Sequence, residues 1–370
     1  MMNGLKMRVG IMIAILACCA SLKQVCAAED KIVLFSGKTI GGGQVTKDEI
    51  SGVEYTMSGG AIQSIKPEEV KDIEWDAVND WQEAEAPYKK GSYGQAVTSL
   101  RSLMDDKDVF DKLRNQIKPR FYFMLADSLL KSGKVADATP VFKKYIADFP
   151  KSRYVPDALS SQIEFQIACK NFEIKPLLSQ LGQLGVEQQR LADCLEGEML
   201  RTQGNLKKAE LKFSAATSAT DPRTKIRAML GQAGCALEDK NPAKAREFAQ
   251  RILIGAPTSS MAAAAHLIMG DAMMFEAETN KLVGEELQNK LTDALLEYMR
   301  VQLQYPGDPN TEPQSLFKGG VCLQRMSKLP NHATDRQRAY ELYGKLTSPD
   351  SKYRNTVWAE KANEQIKAFK

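Results

Sequence analysis

The chain has 370 residues, more than one ordinary hydrophobic core holds, so it reads as two units or as one repeat array with an appendage. Hydrophobic residues at 43% against 26% charged exclude a disordered chain, and few aromatics (7%) beside abundant Ala, Leu and Gln favour helices. The formal net charge of +4 is small and its signs are interspersed, which is not the basic footprint of a nucleic-acid binder, so no nucleic-acid partner is expected.

Residues 1–28 carry the three parts of a secretion signal. Lys6 and Arg8 give a positive start, Val9 to Ala17 a short apolar run, and Cys26-Ala27-Ala28 a small-residue cleavage site before Glu29-Asp30. The run is well short of the ~20 residues a spanning helix needs, which favours removal over anchoring. A second reading competes, because Ile15-Leu16-Ala17-Cys18 resembles a bacterial lipoprotein signal in which Cys18 becomes the lipidated first residue. Both readings export the chain: it is expected in the periplasm or secreted, or else lipid-anchored to the outer membrane through Cys18. Conventional cleavage leaves Cys169, Cys194, Cys235 and Cys322. An even number in an oxidising compartment permits disulfides, but their wide spacing in apolar helical patterns reads as small buried hydrophobes.

Residues 30–77 have a different texture. Lys31–Phe35, Val53–Met57, Ala61–Ile65 and Lys71–Trp75 are short β-rich runs, with Ser36-Gly37 and Ser58-Gly59-Gly60 at turns and Lys66–Val70 as one short turn. Gly41-Gly42-Gly43 is expected to break the chain. The pattern is that of a small all-β barrel, topologically similar to SH3-like or Sm-like modules, which either binds a partner or caps a helical array. Ser36-Gly37-Lys38-Thr39 mimics the end of a phosphate-binding loop. The full motif needs a glycine where Ile32 stands and a helix afterwards, so nucleotide binding is rejected there.

Residues 78–370 repeat. A degenerate first copy runs through Ala84, Ala96, Leu100 and Leu103, with Gly91 at its turn. The next reads Tyr122, Leu125-Ala126, Leu129, Ala138, Phe142, Tyr145 and Pro150, with Gly133 at the turn. Ala158–Leu181 fills one position but lacks the second-helix alanine. The frame returns at Gly197, Leu200, Ala209, Phe213 and Ala216, then at Ala233, Ala236, Ala245, Ile252 and Pro257. Two later copies, through Gly270 and Ala294 and through Gly320 and Ala339, carry extra residues around 275–287 and 327–334. Tyr353–Phe369 reads as a terminal capping helix. Small residues at the two fixed positions let paired helices approach, and the large ones pack onward to the next pair.

This frame resembles the tetratricopeptide (TPR) repeat. The resemblance implies a mostly α fold: an α-α superhelix of about 6–7 helix pairs preceded by the β module. The junction Phe142–Ala158 is similar to that of bacterial periplasmic and outer-membrane-assembly TPR proteins, which are adaptors. Carrying the family's groove positions across gives Arg120, Phe123, Asp127 and Lys131, then Cys194, Glu198 and Arg201, then Leu267, Asp271 and Met274. Phe123 and Asp127 do not fit a carboxylate clamp, and the mixed set implies an apolar or amphipathic partner segment, with packing between repeats as the alternative for each.

Only two histidines occur, His266 expected to pack and His332 expected to be solvated in a loop. No motif for catalysis or metal binding is present, so the chain is read as a non-enzyme without cofactor, metal or small-molecule substrate. The function expected is an exported scaffold or adaptor that binds a partner protein or peptide in the cell envelope. The alternatives are a self-associating envelope component or an accessory subunit of an enzyme encoded elsewhere.

Overall fold

The computed structural model describes residues 29–77, 79–255, 259–308 and 310–368. The signal, and the choice between cleavage and lipidation at Cys18, lie outside the described residues. The described residues divide into two compact units, one up to Gln162 and one from Ile163.

The first unit opens with β1 (Asp30–Leu34), β2 (Thr39–Glu49), β3 (Gly52–Met57), β4 (Ile62–Ile65) and β5 (Val70–Glu74), with a 3-10 turn at Pro67–Glu69. They form one antiparallel sheet in the order β4-β3-β2-β1-β5, a meander whose last strand returns to pair with the first. The small all-β module that the turn spacing pointed to is thus present as a five-stranded antiparallel sheet. Ile32, Val45, Val53, Tyr55, Val70 and Ile73 fill its interior. The glycine triplet does not break the chain. β2 runs through it, and the glycines bend the strand instead. A Cβ on Gly43 would stand 2.2 Å from the Thr56 carbonyl oxygen, so only glycine admits that approach, and Gly42 takes φ +87°. Residues 36–38 make the β1–β2 hairpin turn, with Gly37 at φ +83°, and a strand comes next rather than a helix.

The same unit continues with α1 (Asn79–Lys89), α2 (Tyr93–Asp105), α3 (Lys107–Phe110), α4 (Lys118–Lys131), α5 (Val135–Asp148) and the start of α6 (Val155–Ala168). Gly91 and Gly133 close the turns after α1 and α4 at positive φ. The sheet is not a separate body. Asp30 is fully buried and takes a forked pair from Arg114 at 2.7 and 2.8 Å. Arg153 Nε donates to Asp48 at 2.5 Å, and Ile50 N donates to the Lys151 carbonyl at 2.9 Å. The compact unit therefore runs past the module boundary expected at residue 77, because buried charges on the strands find their partners on the first repeats.

The second unit holds α7 (Lys175–Gly182), α8 (Val186–Thr202), α9 (Leu206–Ala216), α10 (Pro222–Glu238), α11 (Pro242–Ile254), α12 (Ser259–Thr279), α13 (Gly284–Gln304), α14 (Glu312–Met326), α15 (Asp335–Thr347) and α16 (Val357–Ala368). Asp221 and Asn241 cap α10 and α11 from their side chains, each ahead of a proline at the first helical position. Small residues sit where rings press. A Cβ on Gly197 would lie 2.8 Å from the Phe213 ring, one on Gly270 2.5 Å from Tyr298, and one on Gly320 2.4 Å from Tyr343. Phe213, Tyr298 and Tyr343 are fully buried, so the repeat's fixed small position is a seat for the aromatic of the paired helix.

The extra residues near 275–287 are helical on either side of a turn at 280–283, and α12 and α13 reach 21 residues each. Those at 327–334 form the α14–α15 loop. His332 is not freely solvated there; its Nδ1 lies 2.8 Å from Asp335. His266 is packed, with Nδ1 2.7 Å from Glu297 and its ring stacked on Tyr305. The four cysteines are free thiols. Cys194, Cys235 and Cys322 are buried as expected, but Cys169 is exposed because it comes just after the last residue of α6, at the turn. The terminal helix begins at Val357 rather than Tyr353, whose hydroxyl is drawn to Glu312.

Candidate functional site

The groove positions divide between the two units. In the first, Arg120, Phe123, Asp127 and Lys131 all stand on α4. Arg120 is buried and bridges Asp72 at 2.7 Å and Glu85 at 2.6 Å while donating to the Tyr154 hydroxyl at 3.1 Å. Burial alone would raise the Asp72 carboxyl, but Arg120 and Lys89 outweigh it and hold the carboxyl below its ordinary range. Phe123 stacks on Tyr154 with ring centres 5.6 Å apart. Asp127 is fully buried, accepting from the Tyr88 hydroxyl at 2.8 Å and pairing with Lys131 at 2.7 Å. Burial opposes the charge on Lys131, yet Asp127 prevails and raises its pKa. Arg120, Phe123 and Asp127 are therefore not open groove residues. They are inward-facing, and Arg120 fastens α4 to β5. Of the four, Lys131 alone is exposed.

In the second unit the same conversion recurs. Cys194 and Leu267 are buried. Glu198 takes Arg227 in a fork at 2.6 and 2.8 Å, and Arg201 reaches Glu238 at 3.1 Å. Asp271 and Met274 differ, because they reach an open pocket. Asp271, Met274, Phe275 and Glu278 come from α12, Tyr298 from α13, and Phe317, Lys318, Val321 and Arg325 from α14, around a volume of about 320 Å3.

The pocket's geometry comes from helical spacing. Asp271 and Glu278 are seven apart on α12, and Lys318 and Arg325 seven apart on α14, so two acids face two bases across the cleft. Lys318 Nζ lies 2.6 Å from Asp271, Arg325 pairs with Glu278, and the Tyr298 hydroxyl donates to Asp271 at 2.8 Å. Burial, then the Asp271 charge, push the Tyr298 phenol well above its ordinary value, so it remains a donor. Between the charged walls lie Met274, Phe275, Phe317 and Val321, all half-buried. Behind them the Cys322 thiol contacts the Met274 sulfur at 3.1 Å and is pushed up to about 12 by burial, so it stays protonated. The arrangement can accept an apolar side chain and hold polar backbone at its rim. It has no positioned nucleophile–base pair, and no group of three metal-ligating side chains occurs among the described residues.

Phe317 and Val321 stand at the same offsets from Gly320 as Leu267 and Asp271 from Gly270. The repeat frame could have found them, had it been carried into that copy. Arg325 and Glu278 have no such signal, because their role comes from one helix facing the next.

A tetratricopeptide-repeat profile matches residues 121–152 and another matches 194–260. No curated protein sequence matches the chain. Among solved structures it is similar to one from a functional characterization of Pseudomonas aeruginosa pilF, with 17% identity, TM-score 0.43, and 70% of this chain covered by 100% of that one. It is also similar to the human IFIT1 dimer with m7Gppp-AAAA, with 16% identity, TM-score 0.52, and 77% and 71% of the two chains covered, a likeness of fold alone. With the matched stretches falling on α4–α5 and on α8–α11, and with a small residue beneath the paired aromatic in the copies through Gly197, Gly270 and Gly320, the chain carries tetratricopeptide repeats, the kind of helical array that serves as a scaffold for protein–protein interaction.

Proposed function

We propose that this chain is an exported, non-catalytic adaptor of the bacterial cell envelope, which holds a partner protein by seating an apolar side chain in the α12–α14 pocket. The observation that carries this reading is the pocket itself. Four half-buried apolar side chains sit between an acidic and a basic wall, on the first helices of successive repeats. Tetratricopeptide arrays offer that face to peptides and helices. A partner segment with one bulky apolar residue flanked by both charge signs matches such a pocket, since it can intercalate between ion pairs that already satisfy one another. The export half of the reading rests on the positive, apolar and small-residue parts of 1–28.

The test is association in the native host. Val321 replaced by a photo-crosslinking residue should trap one partner, and Phe317→Asp should abolish that product. A product unchanged by Phe317→Asp would remove the pocket from the reading. A reporter enzyme active only outside the cytoplasm, fused after Lys370, tests export: an inactive fusion would refute it.

A second reading, self-association, has its own observation. Leu296, Met299 and Leu303 line one face of α13 and are 49%, 36% and 74% exposed. Light scattering decides it. A dimer that Leu303→Glu dissociates would favour self-association, and a monomer at all concentrations would exclude it.

A further inference from the structure

The residues just after Ala28 are held by a dense set of polar contacts. Asp30 is fully buried, and its carboxylate has four donors: the two Arg114 nitrogens, Val45 N at 2.7 Å and Asp76 N at 3.0 Å. One residue earlier, Glu29 N donates to Asp76 Oδ2 at 2.9 Å. Asp76 and the Glu29–Asp30 pair thus bond reciprocally, the carboxylate of each meeting backbone nitrogen of the other. For an internal amide the Glu29 contact is a single hydrogen bond to an exposed carboxylate. For a chain that begins at Glu29, the same nitrogen is an ammonium with three donors and a full positive charge. The carboxylate then meets its opposite charge at hydrogen-bond distance, and the terminus is fixed one residue from a buried ion pair.

We infer that the chain is processed between Ala28 and Glu29, and that Asp76 receives the α-ammonium this cleavage frees. The inference rests on the export reading above. The step is hydrolysis of the Ala28–Glu29 amide by an endopeptidase of the signal-processing class. Water supplies the new carboxylate oxygen on Ala28, and the Glu29 nitrogen leaves as an amine and takes a proton. Processing at Cys18 instead would leave Glu29 N an internal amide, with no charge for Asp76 to meet. The small residues Cys26 and Ala28, three and one before the bond, supply the recognition, and Asp30 and Asp76 supply the reason for stopping there: the first residue of the product is already seated.

The full chain is expressed in a bacterial host with an outer membrane, and the exported product is weighed intact. A mass that begins at Glu29 is expected. A lipidated product starting at Cys18, or cleavage at any other bond, overturns the inference and leaves export standing. An uncleaved chain retained in the cytoplasm overturns both. The role of Asp76 is read separately on the processed protein, by acylating its α-amine at neutral pH. In Asp76→Asn and Asp76→Ser, the Glu29 amine should react roughly twofold to fivefold faster, the range expected for losing one exposed ion pair. Glu74→Gln, which changes a neighbouring carboxylate, should leave the rate alone. Equal rates in all four proteins mean that Asp76 does not hold the terminus.

Discussion

Replacing Gly231 by alanine sets two effects of opposite sign against each other. Gly231 is inside α10, where alanine is favoured over glycine by about 1 kcal/mol. Yet a Cβ there would stand 2.3 Å from the Phe213 ring, well inside contact distance. The ring has nowhere to retreat. It is fully buried, and on α8 the Gly197 Cβ position is only 2.8 Å from the same ring. Overfilling a core site of this kind costs about 1–3 kcal/mol, more than the propensity gain at most of that range. Gly231→Ala should therefore destabilise the second unit by up to roughly 2 kcal/mol. Urea unfolding tracked by far-ultraviolet circular dichroism measures it, with Gly344→Ala as control. Gly344 is also helical, on α15, and nothing lies within 4 Å of its Cβ position, so that variant should be as stable as the parent or more so. Phe213→Leu added to Gly231→Ala should recover part of the loss, because a smaller side chain vacates the collision. If Gly231→Ala raises stability as Gly344→Ala does, the view of the small position as a seat for the ring is wrong.

Three further outcomes are expected from the geometry. Asp30→Asn removes the charge that neutralises Arg114 and should cost about 3 kcal/mol, at the lower end for breaking a buried pair because Arg114 is 25% exposed; the emission of Trp75 and Trp81 in a Trp358→Phe background reports the urea midpoint. A thiol reagent should label Cys169 at once and Cys194, Cys235 and Cys322 only on unfolding. Burial pushes the folded-state thiols of Cys194 and Cys322 up to about 12 and of Cys235 to about 11, against 9.0 ordinarily, so folding holds those protons more tightly. Their contribution is whole below pH 9 and is lost as pH climbs towards 11–12, so Cys194→Ser should show a shallower alkaline fall in melting temperature than the parent.

The repeat frame was legible because it is a packing rule. Gly197 with Phe213, or Gly270 with Tyr298, cannot be exchanged for two large residues, so the sequence carries the pair openly. The strands were legible for a similar reason, as Val53 and Tyr55 alternate with outward Glu54 and Thr56. The glycine triplet misled, since a glycine that ends a strand and one that lets another backbone approach look alike until Thr56 is in place. The groove residues misled more. Arg120, Asp127 and Glu198 occupy ligand-facing positions of the family, but their partners Glu85, Tyr88 and Arg227 are distant in sequence and belong to neighbouring helices. Intrahelical spacing finds a face; it does not say whether the next helix already covers that face. Asp271 and Met274 differ because the α14 side chains opposite them, Phe317, Lys318 and Val321, line an open pocket instead of closing over it.

The central claim is that the α12–α14 pocket seats a partner's side chain, and crosslinking from Val321 in the native host tests it most directly. One discrete product with a second protein is predicted, lost in Phe317→Asp and kept in Leu303→Glu, which alters the exposed face of α13 instead. A product that survives Phe317→Asp, or one containing this chain alone, would contradict it.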